Sequence, residues 1–159
     1  MNSTRRHPQR GAAAMEFALA LPILMILLWG LLSFAALFYT QMAVARAAHD
    51  GARVAGLVPD SGDMTELVRA AVIDSLAATP IVAKGHNSTY SSRRNWLEAT
   101  VSGAIAVTIA DCEGATCVTV RITYPYGDGV RLLPNIALPG MAMMSFIPDT
   151  LVGEAVAVL

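Results

Sequence analysis

The sequence predicts an α+β fold, in which a long N-terminal transmembrane helix precedes a small extracytoplasmic domain with one helix on an antiparallel sheet. Three observations predict this fold. The 29 residues from Phe17 to Ala45 include no charged residue, and as a helix they would be about 43 Å long, more than the roughly 30 Å hydrocarbon core of a bilayer. Apolar residues recur at helical spacing between Leu67 and Leu76. They alternate with polar residues between Val118 and Tyr124.

Charge is distributed unevenly along the 159 residues. Residues 1–11 contain three arginines and no acid, whereas the remainder of the chain has a net charge of −4. Basic residues beside a membrane span favour the cytoplasmic side. We therefore predict a single-pass protein with a cytoplasmic N-terminus and a C-terminal domain that is periplasmic or extracellular. The basic residues after the helix are scattered, which argues against a nucleic-acid partner.

The uncharged run is preceded by a basic, polar segment that ends at Gly11, and Glu16 follows five residues later. An acid at the start of a membrane helix is costly unless it has a partner, although the helix N-terminus also favours an anion there. A secretory signal peptide has an apolar core of only 7–15 residues, about half the length of this run. An uncleaved signal anchor would give the same topology without processing, and this interpretation stays open.

This arrangement resembles the leader of type IV prepilins. The stretches AMEFALALP at 14–22, FY at 38–39 and ARAAHDGAR at 45–53 are similar to the TadE-like family, which comprises pilin-like minor proteins of the tight-adherence (Tad) pilus. The resemblance implies cleavage by a prepilin peptidase between Gly11 and Ala12. It also implies that Glu16 and Phe17 serve subunit assembly, with the Glu16 carboxylate pairing with the new amine of Ala12 on a neighbouring pilin-like subunit.

Beyond the membrane, the helix is predicted to continue to Leu57. Small residues recur every four positions along this part, at Ala43, Ala47, Gly51 and Ala55. Small residues at this spacing allow another helix to approach closely, but packing of the helix on its own domain explains the pattern equally well. Asp50 is spaced to form an ion pair with either Arg46 or Arg53.

Residues 58–159 are predicted to form the outward domain. A turn ends the long helix, and Asp63 is the predicted N-cap of the next helix, with Glu66 completing a capping box. This helix is predicted to end near Ala78. The polar residues 84–95 predict a surface loop. Strands are predicted within residues 96–110, 116–126 and 155–159.

The two cysteines, Cys112 and Cys117, flank a short turn in a predicted hairpin. Zinc would need more ligands than this pair provides, and a thioredoxin-like redox pair would have the spacing C-x-x-C. On the outward side of a membrane a disulfide is the expected state. Two free buried thiols are the alternative.

The three histidines are scattered, and no nucleophile motif or phosphate-binding loop is present in the sequence. We therefore expect no enzymatic activity, metal, cofactor or small-molecule substrate. The predicted regions are a leader at 1–11, a transmembrane and extended helix at 12–57, and a domain at 58–159. The predicted function is that of a pilin-like minor subunit in the inner membrane, which acts in Tad pilus assembly or initiation after processing. The alternative is an unprocessed, membrane-anchored binding or adhesion module.

Overall fold

The computed structural model of the chain describes residues 10–58, 62–112, 114–127, 129–133 and 147–159. Its elements in chain order are the helices α1 (Arg10–Leu57), α2 (Met64–Ala77) and α3 (Tyr90–Thr100), a 3-10 turn (Ser102–Ala104), and the strands β1 (Ile105–Cys112), β2 (Ala115–Pro125) and β3 (Thr150–Val158). The strands form one antiparallel sheet in the order β1-β2-β3. The predicted α+β fold, with a long N-terminal helix before a small domain, is confirmed.

The chain divides into two compact units, one reaching Ala35 and the other beginning at Ala36. Helix α1 contributes to both units and continues through Pro22, even though proline removes one backbone hydrogen bond from a helix. The second unit contains the sheet, α2, α3 and the part of α1 that follows Ala35.

The core of the second unit is built on one face of β2. The alternating residues Val118, Val120, Ile122 and Tyr124 are fully buried, as a half-buried strand requires. Apolar residues of α2 and of the part of α1 that follows Ala35 pack on this face, among them Val68, Val72, Leu76, Val44 and Ala47. The buried Tyr124 hydroxyl donates a hydrogen bond to the carbonyl oxygen of Ile81. Burial raises the pKa of Tyr124 above its usual range.

Helix α3 corrects two predictions, because it occupies part of the predicted loop at 84–95 and the start of the strand predicted from Trp96. The Thr89 hydroxyl caps this helix by accepting a hydrogen bond from the backbone N–H of Ser92, at 3.2 Å. Arg94 and Glu98 form an ion pair one turn apart, with 3.0 Å between Nε and Oε1. Only Leu97 of this helix is fully buried, so its apolar pattern is too sparse to predict a helix.

The start of α2 also differs from the prediction. Asp63 occupies the N-cap position, but its side chain makes no capping hydrogen bond. The Glu66 carboxylate forms an ion pair with Arg69 at 2.9 Å instead of returning to the N-cap backbone. At the other end of α2, the Arg93 side chain donates to the carbonyl oxygen of Ala77 at 2.7 Å, which satisfies one of the unpaired carbonyl groups of the last turn.

Candidate functional site

The N-terminal end of α1 carries the predicted cleavage and assembly residues. Gly11 and Ala12 lie within the first turns of the helix, and Gly11 is exposed with no atom within 4 Å of the position where a Cβ would lie. The side chains of Glu16 and Phe17 are also exposed. Glu16 makes no hydrogen bond or ion pair with any residue that the structure describes, so its carboxylate remains available to a group on another molecule.

The part of α1 that lies in the first unit of the chain exposes a continuous apolar surface. Phe17, Leu19 and Leu31 are each about two-thirds exposed or more, at 66%, 72% and 68%. One helix among the described residues, Ala13–Leu57, is long and apolar enough to cross a membrane. An exposed apolar surface of this extent marks a contact with lipid or with another protein. The helix fits a single-pass membrane protein.

The domain begins to cover α1 at a definite point. Thr40 is the first buried residue along the helix, and the Gln41 side chain donates to the carbonyl oxygen of Val152 on β3 at 2.9 Å. The 20 residues from Phe17 to Ala36 precede this point and measure about 30 Å as a helix, the thickness of the hydrocarbon core. The uncharged run thus serves two roles, because its first 20 residues suffice to span lipid and its last residues pack in the domain.

The small residues of α1 face the chain's own domain. Ala47, Gly51 and Ala55 are buried and Ala43 is partly buried. A Cβ added to Gly51 would lie 2.7 Å from a methyl carbon of Val72 on α2, a distance that requires the neighbouring side chain to move. The close approach made possible by these small residues is therefore used, in this structure, by α2 and β2 of the same chain.

Beside Gly51, the predicted ion pairs of Asp50 are not formed. Its Oδ2 accepts a hydrogen bond from the Ser75 hydroxyl of α2 at 2.6 Å. Neither Arg46 nor Arg53 forms an ion pair with any residue in the described part of the chain. Both arginines are exposed, as is His49 between them.

The strand that crosses α1 contains a position that the sequence analysis did not single out. A Cβ added to Gly153 of β3 would lie 2.7 Å from the Val44 carbonyl oxygen and 2.9 Å from a Val44 methyl carbon. Only glycine therefore allows the strand and the helix to approach so closely here. A glycine within an alternating apolar stretch is a signal for such an approach, and it was available in the sequence.

The hairpin cysteines are joined. Cys112 and Cys117 form a disulfide with Cα atoms 5.8 Å apart, within the range that disulfides require. The strand register places Cys117 opposite Ala110 and Cys112 opposite Ala115, so the two cysteines are diagonal neighbours on one face. Cys117 is buried and Cys112 is exposed.

We expect mass spectrometry of the full chain, alkylated without reductant, to show no modified cysteine. Closing so short a loop stabilises the domain by about 2–3 kcal/mol at most, so Cys112→Ser with Cys117→Ser should lower the unfolding temperature by several degrees. Two alkylated thiols in protein taken from the membrane of its native cells would contradict the prediction.

Within the residues that the structure describes, no three His, Cys, Asp or Glu side chains lie close enough together to hold a metal ion. The features that distinguish this chain are instead the N-terminal segment, the apolar surface of α1 and the exposed face of α1 in the second unit.

Comparison with known families identifies the N-terminal segment. Residues 11–53 match the family model described as TadE-like protein, which confirms the resemblance over this range. The match begins at Gly11 and extends past Gly51. No match to a curated protein or to a solved structure was found.

Proposed function

From the TadE-like segment at residues 11–53, we propose that this chain is a pilin-like minor subunit of the Tad pilus that acts in assembly or initiation. The observation that carries the proposal is the extent of the match, which includes Gly11, Glu16 and the whole exposed apolar part of α1. The helix exposes its apolar surface over a length equal to the hydrocarbon thickness of a membrane. This suits a subunit that resides in the bilayer and later packs against other helices.

In this proposal the leader is removed before assembly. A prepilin peptidase cleaves the bond between Gly11 and Ala12 on the cytoplasmic side of the inner membrane, where the three leader arginines hold the N-terminus. The exposure of Gly11 supports access by a peptidase. Cleavage gives Ala12 a positively charged amine at the end of the apolar helix.

The new amine and the Glu16 carboxylate then pair between neighbouring pilin-like subunits. Glu16 is exposed and has no partner among the described residues, so the pairing competes with no contact inside the chain. An ion pair in lipid offsets the burial of both charges only when both partners are present. The pair therefore favours assembled subunits over single ones, and it fixes how far one helix is displaced along its neighbour.

We expect Gly11→Leu to prevent processing, because the side chain at this position would crowd the peptidase site. N-terminal sequencing of protein from its native cells should give a mature chain that starts at Ala12 for the wild type and an intact leader for the variant. Gly30→Leu is the matched control, since a Cβ at Gly30 also meets no atom within 4 Å, and this variant should be processed normally.

Processing also separates the proposal from the alternative function. If the wild-type chain retains its leader in cells with an active peptidase, the proposed function is wrong, and an unprocessed membrane-anchored binding or adhesion module becomes the better description. An unchanged N-terminus for Gly11→Leu relative to a processed wild type would show that the cleavage site lies elsewhere.

A further inference from the structure

Three exposed basic side chains follow one face of α1 outside the membrane. Arg46, His49 and Arg53 are three and four residues apart, and residues at this spacing share one face of a helix. We call these three residues the basic stripe. The rest of this part of α1 is largely covered by α2 and the sheet, so the stripe occupies the side of the helix that the domain leaves open.

The two arginines of the stripe form no ion pair within the described chain. Asp50, which lies about one helical turn from each of them, accepts a hydrogen bond from the Ser75 hydroxyl at its Oδ2 instead. Four other arginines each form an ion pair with an acid of the domain, namely Arg69, Arg94, Arg121 and Arg131. Arg46 and Arg53 differ from them, since neither has an acidic group within 4.0 Å among the described residues.

The two arginines of the stripe follow the apolar segment that can span lipid. Arg46 and Arg53 lie ten and 17 residues after Ala36, within the second unit. A protein that stands beside the second unit can therefore reach them.

The outward domain supplies the complementary charge. Residues 58–159 contain ten acidic and six basic residues, a net charge of −4. Asp63 and Asp111 are exposed acids that form no ion pair with any described residue. Asp111 lies beside Cys112, so the disulfide holds this acid at the end of a closed hairpin.

We propose that the basic stripe is the docking surface for the acidic outward domain of a second copy of this chain. The inference rests on the proposed function, in which subunits of this kind pack against one another through their N-terminal helices. Exposed charge pairs contribute modestly to affinity, but they select the partner and its orientation. The stripe would thus add a contact outside the membrane to the Glu16–Ala12 pair inside it.

Photocrosslinking of the full chain in its native cell membranes tests this contact. The photoreactive residue p-benzoylphenylalanine replaces Met42, which is exposed one helical turn before Arg46 and leaves the stripe intact. We expect a crosslinked dimer whose adduct maps to the outward domain of the second copy. In isolated membranes, its yield should fall several-fold when the salt concentration rises from about 50 mM to 500 mM, because salt screens exposed charges.

Charge-reversal variants test whether Arg46 and Arg53 are responsible for the crosslinked dimer. R46E combined with R53E should reduce the dimer at least about five-fold, whereas R46K combined with R53K should preserve it. The matched control for R46E is K84E, because Lys84 is an exposed cation outside the stripe. Unchanged unfolding temperatures for all variants would establish that the domain is intact.

The proposal is overturned if the dimer survives R46E with R53E, if K84E reduces it equally, or if the adduct maps only to lipid or to a different protein. Leader cleavage is read in the same samples. A cleaved wild type without a dimer contradicts the stripe and leaves the proposed function standing. A charge-dependent dimer of an uncleaved chain supports the stripe and contradicts the proposed function.

Discussion

Gly153→Val should unfold the second unit of the chain. A Cβ at this position would lie 2.7 Å from a backbone oxygen of α1, and backbone cannot move aside as a flexible side chain can. The strand would have to separate from the helix, which also breaks the hydrogen bond between Gln41 and Val152. Valine adds two methyl groups to the same clash.

The smaller change Gly153→Ala gives a measurable version of this effect. Overpacking of this kind lowers the free energy of unfolding by about 1–3 kcal/mol, which corresponds to a fall of about 5–15 °C in Tm for a domain of this size. The measurement is thermal unfolding of the full chain in detergent, followed by near-ultraviolet circular dichroism.

Gly103→Ala is the control for this prediction. Gly103 lies in the 3-10 turn, no atom is within 4 Å of its added Cβ, and neither it nor Gly153 has a positive φ. The substitution therefore changes the same atoms without a clash and should leave Tm within about 2 °C of the wild type. If Gly153→Ala behaves like Gly103→Ala, the close contact between β3 and Val44 does not exist in solution.

Glu16→Leu should insert into the membrane and lose its leader normally, yet fail to co-assemble with other pilin-like subunits. A lone carboxylate in a membrane helix costs about 2.5–3.5 kcal/mol, so its removal does not hinder insertion. The same change leaves the Ala12 amine without its partner. Breaking a buried ion pair in this way costs about 3–5 kcal/mol, equivalent to a loss of between about 10²-fold and about 4 × 10³-fold in association.

Membrane fractionation, N-terminal sequencing and crosslinking of the same cells measure the three steps separately. Met15→Leu is the matched control, because Met15 is an equally exposed neighbour on the same turn and carries no charge. This variant should be inserted, cleaved and assembled like the wild type. Normal co-assembly of Glu16→Leu would reduce Glu16 to an interfacial acid and favour the anchored-module function.

The strongest sequence patterns predicted the corresponding elements well. The uncharged run predicted α1, because lipid and a protein core both select apolar side chains along a helix. The alternation around Val120 predicted β2, because one face of this strand is buried. Helix α3 was missed because it buries one residue and is held by polar contacts, such as the Thr89 cap and the Arg94–Glu98 pair. These contacts are polar and local, so they leave no apolar periodicity in the sequence.

The residues of the candidate site also differ in how far the sequence alone could identify them. Gly11 and Glu16 were singled out by their resemblance to a prepilin leader, and the cysteines by their spacing, whereas the role of Gly153 depends on which helix crosses β3. The division of the apolar run near Thr40 was also invisible to hydropathy, because lipid and a protein core select the same side chains. Only the packing of the domain distinguishes the residues that span lipid from those that form the core.

The segment from Phe17 to Ala36 limits where the chain can reside. Its side chains are not buried within their own chain, so the segment needs an apolar environment that another molecule supplies. A single chain released into water would expose 20 residues of apolar helix. Under the proposed function, the chain could therefore leave the bilayer only where neighbouring helices replace the lipid.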